Sequence, residues 1–385
     1  MNPEMTPYRV ALCRGGTSKA VFMMRNELPR DPEQRDRVIR AVFGSPDPRQ
    51  IDGLGGADVL TSKFAMIGPP TRPDADVDYT FAQVSFDTDF VDYGGNCGNI
   101  SSAVGPFAID EGLVEAVEPV TTVRIHQTNT HCILTAYVPV KDGKAQVLGD
   151  CRIDGVPGTG ARILLDFSDT AGSTTGKVLP TGHPTDRITV DGEEYEISIV
   201  DAGNVVVFLE AARLGLTGTE SCAQIEKDPA LMARIEAIRA HAAVLAGMAR
   251  TPREATEKSA YVPFFSLVSP AQSYWSVTSG IQVEREQIDL TARLYFMGHM
   301  HKAYPGTGSV ATGAAARIPG TLVDRQLTAR GRENGVLRIG HPGGVMCCDA
   351  VAEEGPEGRR FTRLAYERTA RRILEGTCYV RNDRL

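Results

Sequence analysis

The segment Asn96-Cys-Gly-Asn99 sets a thiol directly ahead of a run of small and apolar residues that reads as a helix. A helix N-terminus stabilises the thiolate, the form of cysteine that can take a proton. A second candidate is Lys63, which closes the glycine-rich stretch Gly53-Leu-Gly-Gly-Ala-Asp-Val-Leu-Thr-Ser-Lys63 just before the apolar residues 64–67. An amine drawn into an apolar cleft loses solvation of its charged form and becomes a usable base near neutral pH. Each has a plainer reading. Free cysteine packs by default as a small apolar side chain, and a lysine at that place can be an ordinary strand-edge charge. Lys19 and Lys177 are open to the same two readings.

Groups that could grip carboxylate oxygens lie in short glycine-punctuated loops. Arg14-Gly-Gly-Thr-Ser18 supplies a guanidinium, Thr17 and Ser18; residues 172–182 supply Lys177 and Thr181; Ser62 precedes the candidate lysine. Two helix starts add backbone N–H groups and a positive dipole end. The first comprises Gly98, Asn99 and Ile100 with Asn96 just ahead, and the second comprises Gly306, Thr307, Gly308 and Ser309. The alternative is that both are merely close-packed turns. Gly-Lys-Val at 176–178 lacks the hydroxyl residue that follows lysine in a phosphate loop, so nucleotide binding is not expected. His126, His131, His299, His301 and His341 have no acidic partners at ligand spacing. The expectation is therefore no metal and no cofactor.

These residues must be held by strands and a few helices. Short β-branched runs at 8–12, 81–86, 122–127, 133–138, 195–200, 205–209 and 337–340 read as strands. Helical patterns appear at 31–43, 101–111, 221–226, 231–249, 308–318 and 363–375. Strands outnumber helices, which predicts an α+β fold of mixed, mostly antiparallel sheets around a few helices. An approximate internal repeat supports this. Residues 10–22 and 197–208 share a strand, glycine turn, strand plan; residues 96–109 and 304–318 share a tight turn followed by a small-residue helix, in the same order. The polar stretch 182–186 marks a boundary, giving an N-terminal domain over 1–185 and a C-terminal domain over 186–385, whose last residues are free to pack back on the first domain.

Composition narrows the classes of function. The chain has 385 residues, 42% of them hydrophobic, and 41 basic against 48 acidic side chains leave a net charge of −7. No block of like charge suits a nucleic acid or a membrane surface, so neither is an expected partner. The longest apolar runs, at 163–167 and 205–209, fall far short of a membrane span, and residues 1–7 lack the pattern of a secretory signal. Eight cysteines without repeated spacing fit a reducing compartment, and the cytoplasm is the expected location.

Several motifs in order resemble the PrpF family, which contains 2-methylaconitate cis-trans isomerase, 4-oxalomesaconate tautomerase or isomerase, and methylitaconate isomerase. They are Arg14-Gly-Gly-Thr-Ser-Lys19, Gly44-Ser-Pro-Asp-Pro48, Gln50-Ile-Asp-Gly53, Thr61-Ser-Lys63, Asp92-Tyr-Gly-Gly-Asn-Cys-Gly-Asn99, Gly105-Pro-Phe-Ala108, Leu179-Pro-Thr-Gly182 and Ile318-Pro-Gly-Thr321. The resemblance implies a diaminopimelate-epimerase-like fold of two pseudo-symmetric domains, each a sheet wrapped around a central helix, with the active site in the cleft between them. Epimerases of that fold use two cysteines, one at each helix start. Here the second position is Pro305, which disfavours a two-thiol racemase. The resemblance implies instead that Lys63 and Cys97 divide the proton transfers. Ala20, Val205 and Gly343 depart from common family residues and bear on the substrate pocket.

The expected activity is a cofactor-independent proton shift along the carbon skeleton of an unsaturated di- or tricarboxylate. Residues 173–182 resemble the branch acting on 4-oxalomesaconate, which makes an unsaturated tricarboxylate of that kind the preferred substrate. Residues 296–299 and 306–309 resemble the branch acting on 2-methylaconitate, which keeps 2-methylaconitate or aconitate isomerisation as the alternative. A non-catalytic carboxylate-binding protein is the rival from another class, and a homodimer is a possible assembly.

Overall fold

The structure is a computed structural model that describes residues 2–355 and 358–385. The chain divides into two compact units: Met1–Arg152, Gly158–Leu165 and Arg368–Leu385 form the first, and Ile153–Pro157 with Asp166–Glu367 form the second. Residues 166–185 thus belong to the second unit, and the last eighteen residues to the first.

In the first unit the strands are β1 (Met5–Gly15), β2 (Ser18–Met24), β3 (Lys63–Gly68), β4 (Val77–Val84), β5 (Val91–Asp92), β6 (Val120–Gln127), β7 (Cys132–Lys141), β8 (Lys144–Ala145) and β9 (Ile163–Asp166). Helices α1 (Pro32–Phe43) and α2 (Gly98–Asp110) interrupt them. β1 and β2 form a hairpin, β2 runs parallel to β3, β3 antiparallel to β4, β4 parallel to β6, and β6 antiparallel to β7. The C-terminal strand Ala370–Arg381 pairs antiparallel with the whole of β1.

α1 is an amphipathic surface helix whose ends are written in its sequence. Asp31 accepts a hydrogen bond from the Gln34 N–H, Pro32 opens the first turn, and Gly44 ends the helix in the left-handed region at φ 72°. α2 is different. It is buried on nearly every side and packs against β1, β2, β3, β6, β7, β8 and the C-terminal strand. Its small residues permit this, since a Cβ on Gly105 would lie 2.7 Å from Val138 Cγ2. Ile100, Val104 and Phe107 are buried along it, each contributing about 1.5–3 kcal/mol by leaving water.

The second unit repeats the plan. Its strands are β10 (Asp186–Val190), β11 (Glu193–Ala202), β12 (Asn204–Glu210), β13 (Phe264–Pro270), β14 (Tyr274–Ser276), β15 (Ile281–Val283), β16 (Leu290–Phe296), β17 (His299–Met300), β18 (Val336–His341), β19 (Gly344–Gly355) and β20 (Gly358–Arg368). Its helices are α3 (Cys222–Glu226), α4 (Pro229–Leu245), α5 (Pro252–Lys258), α6 (Gly306–Ala316), α7 (Leu322–Gln326) and α8 (Ala329–Glu333). β11 and β12 form the hairpin, β12 is parallel to β13, β13 antiparallel to β16, and β16 parallel to β18. The buried α6 packs against β11, β12, β18 and β19 as α2 does in its own unit. The fold is mixed α and β, with sheets wrapped around a central helix.

One expected element is overturned. Residues 363–375, rich in arginine, leucine and glutamate, suggest a helix by local preference, yet they form the end of β20 and the start of the C-terminal strand. β20 pairs with β19, and the C-terminal strand with β1, so ladder pairing overrides propensity. Both central helices also begin earlier than their apolar pattern suggested, at Gly98 and Gly306. Among the described residues, no helix is long and apolar enough to cross a membrane.

Candidate active site

Among the described residues, six of the eight α-helices are capped by the side chain of the residue before them: Asp31, Ser221, Asp228, Thr251, Thr321 and Thr328 each accept a first-turn N–H. The two central helices are the exceptions. Cys97 precedes α2 and Pro305 precedes α6, and neither makes a side-chain cap. Both starts are buried, so their first-turn N–H groups sit where an anionic oxygen is the natural complement.

A hairpin turn presses on each start. In the first unit a Cβ at Gly15 would fall 2.3 Å from the Asn99 carbonyl oxygen, and Gly16 (φ 51°) lies against the Asn99 side chain. Asn99 Nδ2 donates to Thr17 Oγ1 at 3.1 Å, tying turn to helix. In the second unit Gly203 (φ 71°) abuts the Thr307 backbone, and Asn204 Nδ2 donates to Thr307 Oγ1 at 3.0 Å. The repeat seen in the sequence is therefore a repeated contact between turn and helix.

Around α2 the chemistry gathers. Lys63 opens β3, is 2% exposed, and its side chain hydrogen-bonds with that of Cys97, itself 6% exposed. Lys63 Nζ also donates to Gln83 Oε1 at 2.6 Å and lies 5.4 Å from the centroid of the Phe81 ring. Burial pushes the Lys63 ammonium below the usual lysine range, while Cys97 and Asp58 pull in the opposite direction. A buried amine beside a thiol brings together two groups of the kind that carry protons in acid–base chemistry. Each can act as acid or base toward a carbon acid placed beside them.

The other residues singled out from the sequence fall into place as follows. Ser62 is buried, donates to Gln50 Oε1 at 2.6 Å, and accepts at its carbonyl from Gln83 Nε2 at 2.9 Å. Asn96 accepts from Ser101 Oγ at 3.1 Å, which braces the segment leading to Cys97. Gly98, Asn99 and Ile100 form the first turn of α2, and the buried Ser18 Oγ has no hydrogen-bond partner among the described residues. Arg14 is committed to the backbone: Nη1 donates to Gly16 O at 3.0 Å and Thr369 O at 2.8 Å, and burial with Arg371 nearby lowers its pKa.

In the second unit Gly306, Thr307, Gly308 and Ser309 form the first turn of α6, with Ser309 Oγ donating to Gly306 O at 2.7 Å. Lys177 is exposed, and the Thr181 hydroxyl donates to Asp186 at 2.7 Å. Their loop is latched instead by Asp201, whose Oδ2 accepts from the N–H groups of Thr174 and Thr175 at 2.9 and 2.6 Å. Burial raises the Asp201 pKa.

Three residues at these places escaped the sequence reading. Gln83 sits in the otherwise apolar run Phe81-Ala-Gln-Val84, and that lone amide is the signal that could have found it. Arg368, buried, donates from Nε to Asn99 Oδ1 at 2.9 Å, but it lies in the stretch misread as helix. Asp201 was visible only as part of a repeated hairpin. Among the described residues no group of three or more His, Cys, Asp or Glu side chains could hold a metal ion.

Residues 5–381 match the family model described as PrpF protein. The chain belongs to the PrpF family. A 3-methylitaconate isomerase from Eubacterium barkeri is 52% identical over 97% of both chains. A 4-oxalomesaconate tautomerase from Pseudomonas putida is 39% identical over 97% of this chain and 96% of its own. Among solved structures, a methylitaconate-delta-isomerase covers 99% of this chain and 97% of its own with 50% identity and a TM-score of 0.80. A hydroxyproline epimerase from Agrobacterium vitis, 12% identical over 99% of this chain and 94% of its own, has a TM-score of 0.58 and shares the fold. This PrpF member is an isomerase, its relatives being named isomerases and tautomerases. That sets aside the reading of a non-catalytic binder.

Proposed function

We propose that this PrpF protein shifts a carbon–carbon double bond in an unsaturated, branched di- or tricarboxylate, with Lys63 and Cys97 dividing the proton transfers. The observation that carries the reading is the hydrogen-bonded contact of a buried amine and a buried thiol at an uncapped helix start. One member of the pair takes the proton allylic to the double bond, leaving a dienolate whose charge spreads onto the carboxylate oxygens. The other returns a proton to a carbon further along, and the double bond moves. No electrons are gained or lost, so the step needs no redox partner. First-turn N–H groups of α2 stabilise the developing negative charge, with Thr17, Ser18, Ser62 and Asn99 as neighbouring polar groups of the same unit.

Two substrates are carried forward. The 52% and 50% identity to proteins named for methylitaconate favours that dicarboxylate. The resemblance of residues 173–182 to the oxalomesaconate branch favours 4-oxalomesaconate. The test is incubation of purified protein with each acid in deuterated water, followed by NMR. Deuterium entering the allylic position of one acid, with appearance of its double-bond isomer, is the expected result. Absence of exchange into either acid overturns the proposal for these substrates.

A further inference from the structure

The start of β3 has a counterpart in the second unit, and the two are furnished in opposite ways. Ala20 on β2 pairs in parallel with Lys63, and Lys63 pairs with Gln83 on β4. Val206 on β12 pairs in parallel with Phe264, and β13 continues antiparallel to β16, whose last residue is Phe296. The rings of Phe264 and Phe296 meet at 5.5 Å, with Tyr261 completing an aromatic cluster. The same strand geometry thus closes well with rings alone. A buried amine and amide at the equivalent place cost desolvation that rings do not. Packing gives no reason for them.

Gln83 is 1% exposed, and its hydrogen bonds leave its amide one orientation. Nε2 donates to Ser62 O at 2.9 Å and to Val59 O at 3.3 Å, both of which can only accept. The oxygen must then face Lys63 Nζ, at 2.6 Å. We propose that Gln83 is a positioning residue for the isomerisation, holding the Lys63 amine against Cys97 through an acceptor that carries no charge. A carboxylate at that place would hold the amine as an ammonium ion, whereas an apolar side chain would leave it to choose its own rotamer. The neutral amide orients it and lets it gain and lose a proton. The groups facing this pair are Cys97 from α2, Asp58 from the loop before β3, and Asp92 on β5, which pairs with Gln83 from its other side and accepts the Gly94 N–H.

This inference rests on the proposed role of Lys63, and the experiment separates the two. The full chain carrying Gln83→Leu or Gln83→Glu is assayed with 3-methylitaconate and with 4-oxalomesaconate across pH, with melting temperature as the check on folding. Gln83→Leu is expected to lower kcat by about 10²-fold with KM changed little, as a small misplacement of a reacting group does. It should also move the Lys63 limb of the kcat/KM profile to lower pH, because an acceptor for the ammonium is gone. Gln83→Glu should move that limb to higher pH by about 1–3 units, the usual effect of an adjacent opposite charge. Should the leucine variant fail to fold, the isosteric glutamate variant carries the test. Loss of activity in both with the pH limb where the parent has it would mean a structural role only and overturn the inference. Lys63→Met is the control: full turnover in that variant defeats the role of Lys63 itself, whereas an inactive Lys63→Met beside unmoved Gln83 profiles defeats this inference alone.

Discussion

At the start of β3 an amine faces an amide and a thiol; at the start of β13 two phenylalanine rings meet, and Pro305, not a cysteine, precedes the central helix α6. The surrounding architecture is the same in both units: a hairpin whose turn presses on the first turn of a buried helix, with an asparagine bonded to a threonine across that contact. The duplicated parts are those that create a cradle of N–H groups. The unmatched parts are those that can move a proton. On the proposed reading, binding geometry and proton chemistry are separable in this fold, and the proton carriers stand in the first unit.

The sharpest way to break the contrast is to remove the proton carriers. Cys97→Ser and Lys63→Met are each expected to lower turnover by about 10²–10⁴-fold, the range for loss of a general acid or base. Their effects on stability should differ. Lys63 is buried with a lowered pKa, so its charged form is disfavoured in the folded state, and it weighs increasingly against folding as pH falls below the pKa of an exposed lysine. The double variant Lys63→Met with Gln83→Leu copies the apolar second unit. It should be inactive yet more stable by about 1–4 kcal/mol, as when buried polar pairs are replaced by packed apolar ones. Denaturant unfolding near neutral pH measures this, and a destabilised double variant would show the amine and amide to be structural.

An intermediate effect is expected at the turns. A Cβ at Gly15 meets backbone atoms of α2, Asn99 O at 2.3 Å and Ile100 Cα at 3.1 Å, so Gly15→Ala must displace the helix start. Overpacking of this kind costs about 1–3 kcal/mol, and turnover should fall with it because Cys97 moves. Gly203→Ala meets Thr307 O at 3.0 Å with φ at 71°, a milder clash with left-handed strain. It should lower the melting temperature while leaving kcat closer to the parent. Equal loss of kcat in the two variants would erase the functional difference between the halves.

The sequence made the cradles legible because tight turns and small-residue helices have few other uses. Gly15, Gly16 and the alanines of α6 can be read that way without coordinates. The approach of Lys63 to Cys97 was not readable from spacing, since the two lie on separate elements joined only by the fold; family resemblance supplied it. Gln83 was missed because a polar residue inside a strand does not announce which face it takes. Residues 363–375 were misread because their helical preference is local, whereas the ladders that decide their structure pair them with β19 and with β1 at the far end of the chain.

The smallest expected effect falls at Pro305. Pro305→Ser gives α6 the kind of hydroxyl cap that Ser221, Thr251, Thr321 and Thr328 give their helices, and a serine cap contributes about 0.5–2 kcal/mol. The hydroxyl would accept a first-turn N–H that α6 otherwise leaves without a side-chain cap. The variant should therefore melt higher and keep kcat within a few-fold of the parent. Cys97→Ser, the same residue type installed at the matching place in the first unit, should instead collapse kcat. If Pro305→Ser lowers kcat as far as Cys97→Ser does, the functional difference between the two helix starts is lost.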